Sequence, residues 1–109
     1  MKISEILKNN KITLSMEVFP PKTSTAFETV NKAVKEIAAL KPDFMSVTYG
    51  AGGGTSKHTV KIATDIKKQY GVTSMAHLTC VSSSEDTVRK QIELIRDAGI
   101  ENILALRGD

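Results

Sequence analysis

Apolar and polar positions in this chain repeat with two alternating periods. From Ile12 to Phe19 the period is two: Ile12, Leu14, Met16 and Val18 fall on one face, and Thr13, Ser15, Glu17 and Phe19 on the other. Three more short apolar runs, Asp43–Thr48, Val72–Leu78 and Asn102–Leu106, also read as strands. Between these runs the spacing lengthens to that of a helix. Phe27, Val30, Val34, Ile37 and Ala38 form one stripe, opened by the capping-box pair Thr25 and Glu28 and ended at Leu40-Lys41-Pro42. A helix from about His58 to Tyr70 should bury Val60, Ala63, Ile66 and Tyr70, with Gly71 as its C-cap. The last helix should begin near Ser84, with Glu85 and Asp86 in its first turn. Val88, Ile92, Ile95 and Ala98 would form its inner face, and Gly99 suits its left-handed end. A short amino-terminal helix pairs Ile3 with Ile6 and Leu7, with Ser4 as its cap and Asn9-Asn10 as its end. Pro20-Pro21 stops the first strand, because proline has no N–H to give a ladder.

The predicted order is one helix, three β/α units and a final strand. Polar groups close each strand: Glu17, then Thr48 and Tyr49, then His77, then Arg107 and Asp109. They recur about every thirty residues, the length of a strand, a helix and two loops, so the sheet should be parallel. Parallel sheets place their ligands at the carboxyl ends of the strands. Polarity on one face of the first strand separates two architectures. An open doubly wound sheet is covered on both faces and wants strands that are apolar throughout. A barrel packs its helices outside and tolerates polar groups inside, near its mouth. The pattern favours the α/β TIM (β/α)8 barrel. A complete barrel takes roughly 250 residues, whereas residues 1–109 hold four strands and read as the first half of one, apparently truncated.

Composition narrows the function classes. The net charge is only +3 with Lys and Arg scattered, which gives no nucleic-acid footprint. Cys80 is the single cysteine, so no intrachain disulfide can form, as suits a reducing cytoplasm. The start, Met1-Lys2-Ile3-Ser4-Glu5, lacks the apolar core of a signal peptide, and no apolar run reaches the eighteen or so residues a membrane span needs.

The candidate chemistry lies at the strand ends. Glu17, on the predicted inner face, is suited to general-acid work, or is a surface carboxylate on an edge strand. Gly50-Ala51-Gly52-Gly53-Gly54 is either a close-approach loop for a phosphate or flat ring, or a turn; it matches no P-loop. His77 either donates a hydrogen bond to a ligand or is satisfied by backbone groups. His77 and Cys80 lack the companions a zinc site needs, so no metal is predicted. Arg107-Gly108-Asp109 spells an adhesion tripeptide. After a strand expected to be buried, and with no secretion signal, it reads instead as a loop offering a guanidinium, N–H groups and a carboxylate to a ligand.

Four segments together resemble the flavin-dependent bacterial methylenetetrahydrofolate reductases. They are Met16-Glu17-Val18-Phe19-Pro20-Pro21, Ser46-Val47-Thr48-Tyr49-Gly50-Ala51-Gly52-Gly53, Ala76-His77-Leu78-Thr79-Cys80 and Asn102-Ile103-Leu104-Ala105-Leu106-Arg107-Gly108-Asp109. Order and spacing agree along the whole chain. After the glycine loop, Thr55-Ser56-Lys57-His58 stands where many members carry an Arg or Asp–Arg sequence. The resemblance implies a TIM barrel holding FAD at the strand carboxyl ends, with NAD(P)H as reductant and a folate as substrate. It implies Glu17 as general acid, Asp109 beside flavin and folate, and FAD contacts from Thr48, Tyr49, His77, Leu106, Arg107, Gly108 and Asp109. A second copy or a partner subunit would complete the barrel. Two other classes stand beside it: a non-catalytic half-barrel assembly module, and an unrelated open-sheet nucleotide-binding domain.

Overall fold

Four parallel strands lie side by side in chain order, each joined to the next through a helix. The computed structural model describes residues 1–10, 12–21, 26–49, 56–81 and 83–107. Its elements are α1 (Ile3–Asn9), β1 (Ser15–Val18), α2 (Phe27–Ala39), β2 (Phe44–Val47), α3 (Ser56–Lys68), β3 (Thr73–Thr79), α4 (Glu85–Asp97) and β4 (Asn102–Leu106). Consecutive order with right-handed crossovers puts every crossover helix on the same face. The core agrees with this. Val34 and Ala38 of α2, Ile62, Ala63 and Ile66 of α3 and Ile95 of α4 pack with Val18, Met45, Val47 and Ala76 of the strands.

The register then defines the second face. Val18 pairs with Val47, Val47 with Ala76 and Ala76 with Ile103, so these residues share the helix face. Glu17 pairs with Ser46, Ser46 with Met75 and Met75 with Asn102, and these share the other face. α2, α3 and α4 pack on the helix face, and among the described elements α1 meets the second face at Asn102, at the amino end of β4.

Helix ends follow the sequence where local chemistry decides them. Ser84 accepts a hydrogen bond from the Thr87 N–H at the start of α4. At the far end Gly99 adopts φ 80°, and the N–H groups of Gly99 and Ile100 turn back to the carbonyls of Arg96 and Ile95. Gly71 is likewise left-handed after α3. The end of α2 is unusual: Lys41 takes φ 54° immediately before Pro42.

Several expectations change. Ser4 lies inside α1 and not at its cap. The helix start is held from afar, by the Asn102 Oδ1 accepting from the Ile3 N–H at 2.9 Å. Leu7 is exposed although Ile6 is buried. β1 begins at Ser15 and not at Ile12, leaving Ile12 and Leu14 exposed. The chain before it is instead clamped by Asp43, whose Oδ2 accepts from the Leu14 N–H at 2.8 Å and whose Oδ1 accepts from Asn10 Nδ2 at 3.1 Å. α2 starts at Phe27 after Ala26, and Thr25 lies outside the described residues. In α3, Thr59 and Ile62 join Ala63 and Ile66 as fully buried positions, while Val60, and Tyr70 just beyond the helix, are half-buried. In α4 it is Gln91 that is buried, and Ile92 is exposed. β4 is not a buried strand: Ile103, Leu104 and Leu106 are all exposed, because it is the sheet's edge and no described residue pairs beyond it.

Candidate active site

Toward the carboxyl ends of three neighbouring strands, the second face of the sheet carries a cluster of polar groups. Glu17, on β1, is level with Ser46 on β2. Ser46 is 5% exposed, and its hydroxyl donates to Glu17 Oε1 at 3.0 Å. His77 stands two residues beyond Met75 on β3, on the same face, and is buried at 7% exposure. Its Nε2 lies 3.2 Å from the same Oε1. That distance is within ion-pair range, but the approach does not have hydrogen-bond geometry, and Nε2 is buried without a hydrogen-bond partner. The Glu17 side chain stays about half open to solvent, at 47%. Three strands thus deliver a carboxylate, a hydroxyl and an imidazole to one point, from segments far apart in sequence.

Thr48 and Tyr49 follow β2 and are half-buried. The Thr48 N–H donates to the Val18 carbonyl at 3.0 Å. Its own carbonyl accepts from the buried Thr59 Oγ1 at 2.8 Å. The first full turn of α3 therefore pins the strand end that leads into the glycine loop. Leu106 closes β4 opposite Thr79, and Arg107 follows it, exposed. Among the described residues no contact joins Arg107 to Glu17 or His77. Gly108, Asp109 and the glycine loop lie outside the described residues.

Next to the polar cluster, the same face carries Met75, Leu104 and Leu106. Leu104 and Leu106 are 39% and 38% exposed. An apolar floor beside a buried, unsatisfied imidazole nitrogen suits a ligand with a flat ring and a polar edge. The site residues expected from sequence are thus partly assembled. Glu17 and His77 are in contact, Thr48 stands one position beyond the Val18–Val47 pair, and Arg107 follows the end of β4. Ser46 was missed. Its signal was present, because it is the one hydroxyl within the otherwise apolar run Phe44-Met45-Ser46-Val47, an even step before Thr48.

Comparison with known proteins settles the family. The profile described as Methylenetetrahydrofolate reductase matches residues 2–109. The chain belongs to the methylenetetrahydrofolate reductase family. It is 40% identical over 99 residues to the 5,10-methylenetetrahydrofolate reductase of Pectobacterium carotovorum subsp. carotovorum, covering 91% of this chain and 33% of that protein. The Escherichia coli (strain K12) protein of the same name is 39% identical over 99 residues, with the same coverage. Methylenetetrahydrofolate reductase (NADH) 1 of Arabidopsis thaliana is 36% identical over 108 residues, covering 99% of this chain and 18% of that protein. The chain therefore spans about a third of the length of the bacterial reductases it matches, 33%. Among the described residues no helix is long and apolar enough to cross a membrane.

Proposed function

We propose that this chain is the amino-terminal half of a TIM barrel that reduces 5,10-methylenetetrahydrofolate to 5-methyltetrahydrofolate, with FAD as cofactor and NAD(P)H as donor. The observation that carries the reading is the Glu17–Ser46–His77 cluster, on the open sheet face of a chain that matches this family. NADH appears in the name of the Arabidopsis relative, which supports a nicotinamide donor. When bound, FAD supplies a two-electron relay between nicotinamide and folate.

The chain's own groups divide the remaining work. Glu17 holds the proton that opens the five-membered ring of the folate substrate. Its accessibility on the open face supports that role, because a general acid must reach the atom it protonates. His77, with a buried nitrogen lacking a hydrogen-bond partner, offers a hydrogen bond to FAD. Thr48 and Tyr49 line the same edge, and Leu106, Arg107 and Gly108 bind FAD from the end of β4. Asp109 lies near the flavin, where a negative charge disfavours the reduced anion. The protein works in the cytoplasm, and further chain or a second subunit completes the barrel over the open face.

Replacing Glu17 tests this directly in the full-length reductase. Glu17→Gln should retain FAD yet slow folate reduction by about 10²–10⁴-fold, the usual size of a lost general acid. Flavin reduction by nicotinamide should slow far less. Stopped-flow measurement separates the two half-reactions, and equal slowing of both would refute the assignment.

A further inference from the structure

Glu17 presents two carboxyl oxygens, and the structure treats them differently. Oε1 accepts from the Ser46 hydroxyl at 3.0 Å and has His77 Nε2 at 3.2 Å on its other side. Oε2 has no partner among the described residues. Both neighbours of Oε1 are buried, and each comes from a different strand, so the carboxyl group is fixed by the sheet and not by its own flexible stem. A carboxyl oxygen that already accepts a hydrogen bond is the poorer place for the acid proton.

We propose that Ser46 is the positioning residue for Glu17: it anchors Oε1 so that Oε2 carries the transferable proton on the open face. This rests on the reading of Glu17 as the general acid. Ser46 itself touches no reacting atom. It acts by holding the acid within the narrow range of geometry that proton transfer tolerates. The other side chains on this face near Glu17 would not substitute for it. Met75 and Leu104 have no O–H or N–H to donate, and His77 lacks hydrogen-bond geometry toward Oε1. Ser15, two positions back along β1, is exposed, and among the described residues no hydrogen bond joins it to Glu17.

Two measurements on the full-length reductase test the assignment. The first uses ¹³C-carboxyl-labelled glutamate, with the Glu17 resonance identified by its loss in Glu17→Gln. Ser46→Ala should move that resonance and Ser46→Thr, which restores a hydroxyl, should return it. The second is single-turnover kinetics. Ser46→Ala should slow folate reduction about tenfold, the scale of one net hydrogen bond, and Ser46→Thr should recover most of that loss. A Glu17 resonance unmoved by Ser46→Ala overturns the proposal, whatever reaction the protein catalyses. Failure of Ser46→Thr to recover either readout also overturns it, because the hydroxyl would then not be the operative group. If the resonance responds to Ser46 but Glu17→Gln leaves folate reduction unchanged, the reading of function falls and the anchoring of Glu17 by Ser46 stands.

Discussion

Asn102, the first residue of β4, ties together the two ends of the described chain. Its Oδ1 accepts from the Ile3 N–H at 2.9 Å, and its Nδ2 donates to the Met1 carbonyl at 3.0 Å and the Ser74 carbonyl at 3.2 Å. Asn102→Ala removes all three hydrogen bonds. Each contributes about 1 kcal/mol net, and the one to Met1 is exposed and contributes less, so the expected loss is about 2–3 kcal/mol. The loss should be uneven. The first turn of α1 has no side-chain cap and relies on Asn102, whereas the sheet keeps its own ladder. Equilibrium urea unfolding gives the total, and hydrogen exchange resolved by NMR gives the distribution. The α1 amides should lose protection while those of β2 and β3 keep theirs. A loss below about 0.5 kcal/mol in Asn102→Ala, with α1 still protected, would refute the view that this side chain docks the helix.

Three further outcomes are expected. Lys41→Gly should raise stability by about 1 kcal/mol in the same unfolding assay, because Lys41 sits at φ 54° where only glycine avoids the left-handed penalty; destabilisation would refute this. In the full-length reductase, Asp109→Asn should raise the flavin reduction potential by removing a negative charge that opposes the reduced anion; an unchanged potential in a redox titration would place Asp109 elsewhere. The 109-residue chain alone, with β1 and β4 both open edges among the described residues, should self-associate and bind FAD weakly or not at all. Sedimentation during an FAD titration checks this, and a compact monomer binding FAD tightly would refute it.

Strand order, helix placement and the polar face were legible because each followed from a period visible over many residues. Glu17 on the face opposite Val18 is a direct reading of alternation, and Gly99 as a helix stop is a direct reading of backbone freedom. Contacts between distant segments could not be read that way. Nothing near Leu14 announces that Asp43 will take its N–H, and that exchange shortens β1 from its apparent start at Ile12. The burial of Gln91 in place of Ile92 depends on how α4 rotates against the sheet, and a stripe that is apolar on two sides leaves this open. Ser46 was passed over because a hydroxyl in a strand has no chemistry until its partner is known, and the partner stands on the neighbouring strand.

The parallel register gives the cluster a further consequence. Side chains alternate along each strand, so a one-residue slip between β2 and β3 would turn His77 into the helix layer and bring Ala76 or Leu78 to the open face. A slip between β1 and β2 would separate Glu17 from Ser46 in the same way. A misaligned sheet could not assemble the carboxylate, hydroxyl and imidazole together. A ligand bound at this edge, as proposed, would select molecules whose three strands have been zipped in phase and would draw the population toward that alignment.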